Sequence, residues 1–202
     1  CCARSLPYHF TNTKQKLWKN DRNGMELTGK TLGILGLGAI GKELAKKAAA
    51  FGMKVLGYSR HIDESFCKEY GIIPADREMI LQESDVISLH MPQTPLTKES
   101  INKEAFAQMK KGVILINTSR GYLVNRADLV DAIKAGIVAS YGTDVMQEEP
   151  PETDDPLFSL DEVVITPHMG ASTEEAHMKM MDVAMTNALD ILEGKACKNI
   201  VN

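Results

Sequence analysis

The sequence lacks the features by which metal-binding, disulfide-rich, nucleic-acid-binding and membrane proteins are usually recognised. Its four cysteines are scattered without CxxC spacing, which excludes the usual zinc motifs and a disulfide framework and favours a reduced, cytoplasmic protein. Lys and Arg number 23 against 27 Asp and Glu, so no basic surplus indicates nucleic acid or a membrane surface. The longest apolar runs, such as Val113 to Ile116, are far too short to cross a bilayer. We therefore expect a globular protein without a metal site, a nucleic-acid partner or a membrane partner.

The first residues, CCARSLPYHF, show no initiator Met, no signal peptide and no charged leader. We expect a fragment or an excised domain. Residues 1–9 are predicted to include a helix, and residues 12–24 an exposed connection. Trp18 is the only tryptophan, and we expect it to pack against something rather than to lie free in solvent.

From residue 29 onward, short apolar runs alternate with helical patterns. Strands are predicted at 31–35, 53–58, 85–90, 112–117, 137–145 and 162–168. Helices are predicted at 42–51, 63–70, 101–109, 125–136 and 172–194, and the helix at 125–136 is predicted to begin with a cap at Asn125. This alternation predicts an α/β fold with a parallel sheet that is covered by helices on both faces. The acidic, proline-containing stretch 147–156 is predicted to be a loop.

A glycine-rich turn lies between the first predicted strand and the first predicted helix. Gly36, Gly38 and Gly41 fit the GxGxxG pattern, which is a weak signal alone and a stronger one at a strand-to-helix turn. In a dinucleotide site these glycines permit the tight turn, the approach of the pyrophosphate and the close packing of the helix. The helix N-terminus then offers free N–H groups to the pyrophosphate. The turn therefore predicts a dinucleotide site.

The second predicted strand ends without the acidic residue that usually binds the adenosine ribose. Ser59 occupies that position, and Arg60 follows it. A hydroxyl does not repel a 2′-phosphate, and an adjacent guanidinium can pair with one. Arg60 can equally be a solvated residue at a strand end, so both interpretations stay open. Asp63 is predicted to cap the next helix rather than to bind ribose. We expect NAD or NADP as cofactor, with NADP accepted or preferred.

Polar residues follow three later strands, where a doubly wound sheet has its ligand crevice. Arg120 follows the strand 112–117, Asp144 and Glu149 follow the next, and His168 lies between a proline and a methionine-glycine pair. Alone, each has an ordinary explanation, because such residues are usually solvated or structural. We expect Arg120, Glu149 and His168 to meet at one edge of the sheet.

Four motifs, GLGAIG, NTSRG, DVMQEEP and TPHMGAST, in this order, resemble the D-isomer-specific 2-hydroxyacid dehydrogenase family. GASTEEA and the ending LEGKACKNIVN are similar to its phosphoglycerate dehydrogenase branch. The resemblance covers most of the chain. It implies a Rossmann-type doubly wound parallel sheet in three α/β/α layers. It also implies hydride transfer between NAD(P) and a D-2-hydroxy acid or 2-keto acid.

The resemblance implies three catalytic residues: Arg120, Glu149 and His168. Arg120 would bind the substrate carboxylate and carbonyl, which a guanidinium can grip through two parallel hydrogen bonds. His168 would be the general acid/base, since imidazole exchanges protons near neutrality. Glu149 would pair with His168 and stabilise its protonated form. The hydride itself belongs to the nicotinamide.

The resemblance also implies the cofactor contacts. Ala39 and Ile40 would bind the pyrophosphate through backbone N–H groups, and Asp144 would bond the carboxamide. The full implied set is Gly36, Gly38, Ala39, Ile40, Gly41, Ser59, Arg60, His90, Thr97, Thr118, Ser119, Arg120, Asp144, His168 and Gly170.

Members of the family have a second domain, whose backbone loop binds the substrate carboxylate and has no counterpart here. Residues 1–28 are therefore expected to be a linking helix and arm from that domain. Residues 29–194 are expected to form the dinucleotide-binding domain, and residues 195–202 a return segment. We expect this chain to bind cofactor with little or no turnover. A homodimer is also expected, because the family's dinucleotide domain carries the dimer contact.

Other functions stay open. Glyoxylate or hydroxypyruvate reductases and non-catalytic NAD(H)-sensing scaffolds share this domain, and activity of the full-length protein would separate the scaffold from the enzymes. A methyltransferase that uses S-adenosylmethionine also has a glycine turn, but it has no use for Arg120, Glu149 and His168. Formate-type dehydrogenases generally have glutamine beside the histidine, so Glu149 argues against them.

Overall fold

The computed structural model describes residues 1–197 and residue 199. The chain divides into two compact units, residues 1–167 and residues 168–202, and each is described by itself. Across the described residues, the structure contains no helix with the length and apolar character that a bilayer crossing requires. The predicted return segment 195–202 falls largely outside the described residues, because residues 198 and 200–202 are not described.

Seven parallel strands form one sheet in the first unit. They are β1 (Thr31–Leu35), β2 (Lys54–Tyr58), β3 (Ile73–Pro74), β4 (Val86–Leu89), β5 (Val113–Asn117), β6 (Val138–Thr143) and β7 (Val163–Ile165). Their order is β3-β2-β1-β4-β5-β6-β7, so the winding of the sheet reverses between β1 and β4. A ligand crevice is expected at the carboxyl ends of these two strands. The predicted doubly wound parallel sheet is confirmed.

Six helices accompany the sheet in the first unit, and a seventh lies in the second unit. They are α1 (Leu6–Lys14), α2 (Ala39–Ala50), α3 (Glu64–Tyr70), α4 (Arg77–Glu83), α5 (Lys103–Gln108), α6 (Arg126–Lys134) and α7 (Glu174–Leu192). Short 3-10 turns occur at Cys2–Arg4, Gly121–Leu123 and Pro156–Ser159. The predicted cap of α6 is confirmed, since the Asn125 side chain accepts the N–H of Asp128 at 3.0 Å.

Two apolar cores lie on opposite faces of the sheet because successive strand residues point to opposite sides. Ile34 and Val55 belong to the core that contains residues of α2 and α3. Leu35 and Leu56 belong to the core that contains residues of α4, α5 and α6. Burial on both faces explains why the strands are almost continuously apolar. The predicted three-layer α/β/α arrangement is therefore confirmed.

The structure corrects several sequence-based expectations. Helix α1 continues to Lys14, into the stretch predicted to be a connection. Trp18 is 93 % exposed, so the packing predicted for it is not found within the described chain. Strand β3 and helix α4 were not predicted at all. The strand predicted at 137–145 ends at Thr143, because Asp144 and Val145 turn away from the sheet and into the loop after it.

The second unit contains one long helix. The Thr173 hydroxyl caps α7 by accepting the N–H of Ala176 at 3.1 Å. Acidic residues Glu174 and Glu175 occupy the first turn, where they complement the helix dipole. The helix predicted at 172–194 is confirmed with bounds two residues shorter at each end.

Candidate dinucleotide site

Backbone contacts shape the turn between β1 and α2. The N–H groups of Gly36 and Leu37 both donate to the carbonyl oxygen of Tyr58, at 3.0 and 2.9 Å. Gly36 has a φ of 112°, and a Cβ atom there would meet the backbone carbonyl of His90. A Cβ atom at Gly41 would meet the carbonyl oxygen of Gly36. Larger residues at these two positions would force the backbone to move.

The N-terminus of α2 is open. Gly38 is its N-cap, and no side chain of the described residues caps the helix there. A Cβ atom at Gly38 would have no neighbour within 4 Å among the described residues. Ala39 and Ile40 follow in the first turn, and the Ile40 side chain is 71 % exposed. Backbone donors without a cap at the positive end of a helix dipole form an anion site, so these residues fit a pyrophosphate.

The segment after β2 lies beside this turn, because β1 and β2 pair with Leu35 opposite Tyr58. Ser59, the first residue after β2, is half-buried, and Arg60 is exposed. The segment that begins with Ser59 and Arg60 therefore starts next to the glycine turn.

Asp63 is the N-cap of α3, as predicted. Its side chain accepts the N–H of Phe66 at 3.1 Å and the Ser65 hydroxyl at 2.6 Å. It also forms an ion pair with Lys42 of α2, at 2.6 Å. The Lys42 ammonium, the Ser65 hydroxyl and the Phe66 N–H lower the pKa of Asp63 well below its usual range. The carboxylate therefore stays ionised and engaged in these contacts.

The segment after β4 lies behind the glycine turn. The ring Nε2 of His90 is 2.9 Å from the hydroxyl of Ser88. Burial lowers the pKa of His90, because it disfavours the charged form of the ring. The Thr97 hydroxyl donates to the carbonyl of Pro92 at 2.7 Å and accepts the N–H of Thr94 at 2.8 Å. These bonds fix the loop that carries the two predicted cofactor contacts, His90 and Thr97.

A buried asparagine fixes the turn after β5. Asn117 is 0 % exposed, and its side chain donates to the carbonyl of Arg120 at 2.9 Å and accepts the N–H of Ser119 at 3.1 Å. The Thr143 hydroxyl donates to the Asn117 carbonyl at 3.0 Å. The Ser119 hydroxyl donates to the carbonyl of Met91 at 2.6 Å, which ties this turn to the loop after β4. Asn117 was not among the predicted site residues, although it ends an otherwise apolar strand.

Thr118 and Arg120 are exposed on this turn. The Arg120 guanidinium donates to the carbonyl of Ser119 at 2.7 Å. A Cβ atom at Gly121 would meet the backbone carbonyl of Met146, so the turn packs directly against the loop after β6. The turn therefore presents Arg120 beside the segment that carries Asp144 and Glu149.

The loop after β6 begins with a buried carboxylate. Asp144 is 8 % exposed, and it accepts the Thr166 hydroxyl at 2.5 Å. The Asp144 N–H donates to the carbonyl of Asn117 at 3.2 Å. The Glu149 carboxylate accepts the N–H of Met146 at 3.0 Å, which closes a short turn. These bonds give both acidic residues defined positions near the edge of the sheet where the carboxyl ends of the strands lie.

Three further contacts hold the rest of this loop, confirming that 147–156 is a loop with fixed ends. The Tyr122 hydroxyl donates to Glu148 at 2.6 Å, and the Gln147 amide donates to the carbonyl of Val124 at 3.0 Å. Arg126 forms an ion pair at 2.6 Å with Asp155, whose side chain is almost fully buried.

His168 and Gly170 lie in the second unit, in the turn that precedes α7. His168 has a φ of 50°, which is uncommon for a residue other than glycine. The N–H of Ser172 donates to the carbonyl of Met169 at 2.9 Å within the same turn. The structure thus brings Arg120 and Glu149 to neighbouring loops of the first unit, and their grouping with His168 stays a prediction. Among the described residues, no cluster of His, Cys, Asp and Glu could hold a metal ion.

Comparison with known proteins gives matches over most of the chain. Residues 1–170 match the family model for the D-isomer specific 2-hydroxyacid dehydrogenase, NAD binding domain. The D-3-phosphoglycerate dehydrogenase of Methanocaldococcus jannaschii is 40% identical over 202 residues, which are 99% of this chain and 38% of that protein. The hydroxypyruvate reductase of Thermotoga maritima is 43% identical over 183 residues, 89% of this chain and 58% of that protein.

A solved structure also matches over the whole chain. The crystal structure of D-lactate dehydrogenase with NAD+ from Lactobacillus jensenii has a TM-score of 0.88 and 29% identity. It covers 100% of this chain, which corresponds to 64% of that chain. The present chain therefore spans less than two thirds of the length of these three relatives.

Proposed function

Since the chain belongs to the NAD-binding domain family of the D-isomer specific 2-hydroxyacid dehydrogenases, we propose that it binds the cofactor of an oxidoreductase. This oxidoreductase interconverts a D-2-hydroxy acid and its 2-keto acid. The observation that carries the proposal is the open N-terminus of α2 at Gly38, beside the point where the winding of the sheet reverses. A pyrophosphate fits such a helix N-terminus.

NAD(H) is the dinucleotide of this family, and we propose that NADP(H) is also accepted. Ser59 carries no charge that would repel a 2′-phosphate, and the exposed Arg60 follows it. Along the rest of the cofactor, we propose backbone contacts from Ala39 and Ile40. Further proposed contacts are His90, Thr97, Thr118, Ser119, Asp144, His168 and Gly170.

Arg120, Glu149 and His168 are the proposed catalytic residues. Arg120 holds the substrate carboxylate and carbonyl, and its exposure on a turn that a buried asparagine fixes supports this role. His168 exchanges a proton with the substrate oxygen, and its positive φ is of the kind that is often retained at functional positions. Glu149 stabilises the protonated imidazole. The bound nicotinamide supplies or accepts the hydride.

The substrate that we propose first is 3-phosphoglycerate, because the M. jannaschii relative with that activity aligns over 99% of this chain. Glyoxylate and hydroxypyruvate are the alternatives, which the T. maritima relative supports. We propose that residues 1–28 are a linking helix and arm and residues 29–194 the dinucleotide domain. Segment 195–202 would then return towards a substrate domain.

Two measurements test this function. The 202-residue chain is titrated with NADH and NADPH, and saturable binding is expected together with little or no turnover. A longer form that includes a substrate domain is then assayed with the three acids, and His168→Gln is expected to remove most of kcat with a much smaller loss of NADH affinity. A chain that binds neither dinucleotide would contradict the proposal. NADH binding without turnover in the longer form would favour the non-catalytic scaffold.

We also propose a homodimer, in which exposed apolar residues of the first 28 positions contact a second copy. Phe10 is 64 % exposed and Trp18 is 93 % exposed, which is unusual for aromatic side chains. Trp18→Lys is expected to shift the chain towards monomer in sedimentation velocity. Leu96→Lys is the control, because Leu96 is 91 % exposed on a loop far along the sequence. An unchanged sedimentation coefficient in Trp18→Lys would contradict this interface.

A further inference from the structure

An ion pair joins the two segments that flank the adenosine end of the proposed cofactor site. Lys42 lies in the first turns of α2, directly after Gly41, and Asp63 lies four residues after Ser59. The Lys42 ammonium is 2.6 Å from the Asp63 carboxylate. In this type of fold, the adenosine ribose lies between the glycine turn and the residue that ends the second strand. The two residues of the ion pair thus belong to the segments on either side of the position expected for a 2′-phosphate.

We propose that this ion pair determines selectivity between NADPH and NADH. Asp63 offsets the charge of Lys42, so that in the described segment directly after β2 the exposed Arg60 is the cation that attracts a 2′-phosphate. This role rests on the proposed function, because it requires a dinucleotide at the glycine turn. It makes Lys42 and Asp63 specificity-determining residues, although neither belongs to the glycine motif or follows β2 directly.

The two oxygens of the Asp63 carboxylate have separate partners. Oδ1 accepts the Phe66 N–H at 3.1 Å and the Ser65 hydroxyl at 2.6 Å, which caps α3. Oδ2 accepts Lys42 at 2.6 Å. An asparagine at this position keeps an oxygen for the cap and removes the charge. Asp63→Asn therefore tests the ion pair without removing the cap.

The charges of the pair are accessible enough to act on a bound phosphate. The side chains of Lys42 and Asp63 are 30 % and 42 % exposed. Further along the helix, Lys46 and Lys47 both pair with the carboxylate of Glu43, at 2.7 and 3.1 Å. A unit charge several ångströms from a phosphate at a protein surface changes its affinity by about three- to tenfold. That range is large enough to change cofactor selectivity.

Three variants of the chain, each titrated with NADPH and NADH in parallel, test the proposal. Asp63→Asn is expected to raise the ratio of NADPH to NADH affinity by about three- to tenfold, because it releases the charge of Lys42. Lys42→Gln is expected to lower the ratio, because it leaves Asp63 facing the phosphate. The double variant is expected to return close to the wild-type ratio, as coupled residues do in a double-mutant cycle.

Glu43→Gln is the matched control, since it removes one negative charge from the residue next to Lys42 and is expected to change the ratio much less. The effect of Asp63→Asn should also shrink as salt rises from 0.05 to about 0.5 M, because salt screens exposed charges. A ratio that moves equally in Asp63→Asn and Glu43→Gln would overturn the proposal. Equal losses of NADPH and NADH affinity would also overturn it, because they would show that the ion pair only holds the two segments together. If the wild-type chain binds neither dinucleotide, the proposed function fails and this role fails with it.

Discussion

The turns after β1 and β5 lie on the same edge of the sheet but are built in opposite ways. Backbone bonds to the Tyr58 carbonyl shape the first turn, and within the described chain no side chain caps the helix that begins there. The second turn is held by the buried side chain of Asn117 and by the hydroxyls of Ser119 and Thr143. The first turn therefore leaves its donors for an anion, whereas the second satisfies its own groups and fixes an exposed arginine.

The largest expected effect comes from giving the first turn the cap that it lacks. Gly38 has a φ of −81°, and its side-chain position is open among the described residues, so Gly38→Asp fits without strain. The carboxylate would occupy the anion site and repel the pyrophosphate. We expect NADH affinity to fall about 100-fold or more, measured by fluorescence titration. The free energy of unfolding should change by only about 0.5 kcal/mol.

Asn125→Ala is the control for Gly38→Asp, because it is expected to lower stability without changing NADH affinity. It removes the side-chain cap of α6, which lies outside the proposed cofactor contacts. Loss of an N-cap costs about 1 kcal/mol of stability, and NADH affinity should stay unchanged. If Gly38→Asp loses stability but keeps its affinity for NADH, the open helix N-terminus is not the pyrophosphate site.

An intermediate effect is expected from removing the side-chain hydrogen bonds that Asn117 makes inside the second turn. Asn117→Leu keeps the volume of the side chain but leaves the Ser119 N–H and the Arg120 carbonyl without their partner. We expect a loss of about 2–3 kcal/mol in the free energy of unfolding, measured by urea denaturation. The exposed Asn23→Leu is the control, with an expected change within about 0.5 kcal/mol. Equal losses in the two variants would contradict the assigned role of Asn117.

The smallest expected effect concerns the histidine behind the first turn. Burial lowers the pKa of His90 below its ordinary value of 6.5, so in acid the unfolded chain binds the proton more readily than the folded chain. Stability is therefore complete above that ordinary value and is lost as the pH falls from it through the lower folded-state pKa. In His90→Gln, the free energy of unfolding should depend less on pH between 7.5 and about 5, measured by urea denaturation at each pH. An unchanged slope would show that His90 does not contribute to it.

Periodicity and caps predicted most of the fold, because they depend on local chemistry. The apolar run at 113–117 and the cap at Asn125 are examples that the structure confirms. Strand β3 was missed because it has two residues, one of them Pro74, and so short a strand has no pattern. Helix α4 has only seven residues, and it is stabilised by Ile80 and Leu81, which are fully buried against the rest of the fold.

The sequence indicates candidate site residues where one residue type serves one task, as with the glycines and Arg120, and their roles stay predictions. It does not indicate the supporting residues, because their roles depend on contacts between distant positions. Asn117 acts through its bond to the turn that follows and through Thr143 of the next strand. Lys42 pairs with Asp63, 21 positions away in the sequence. Polar residues in such places look ordinary until the strands and helices are assembled.

The two outermost strands of the sheet carry a consequence for how the protein behaves at high concentration. β3 has two residues and β7 has three, and Pro74 has no N–H group to offer to an incoming strand. Long, flat outer strands are templates on which other chains add by backbone hydrogen bonding. Such short borders offer little room for this addition. The sheet is therefore expected to resist aggregation by strand addition, even though its central strands are almost entirely apolar.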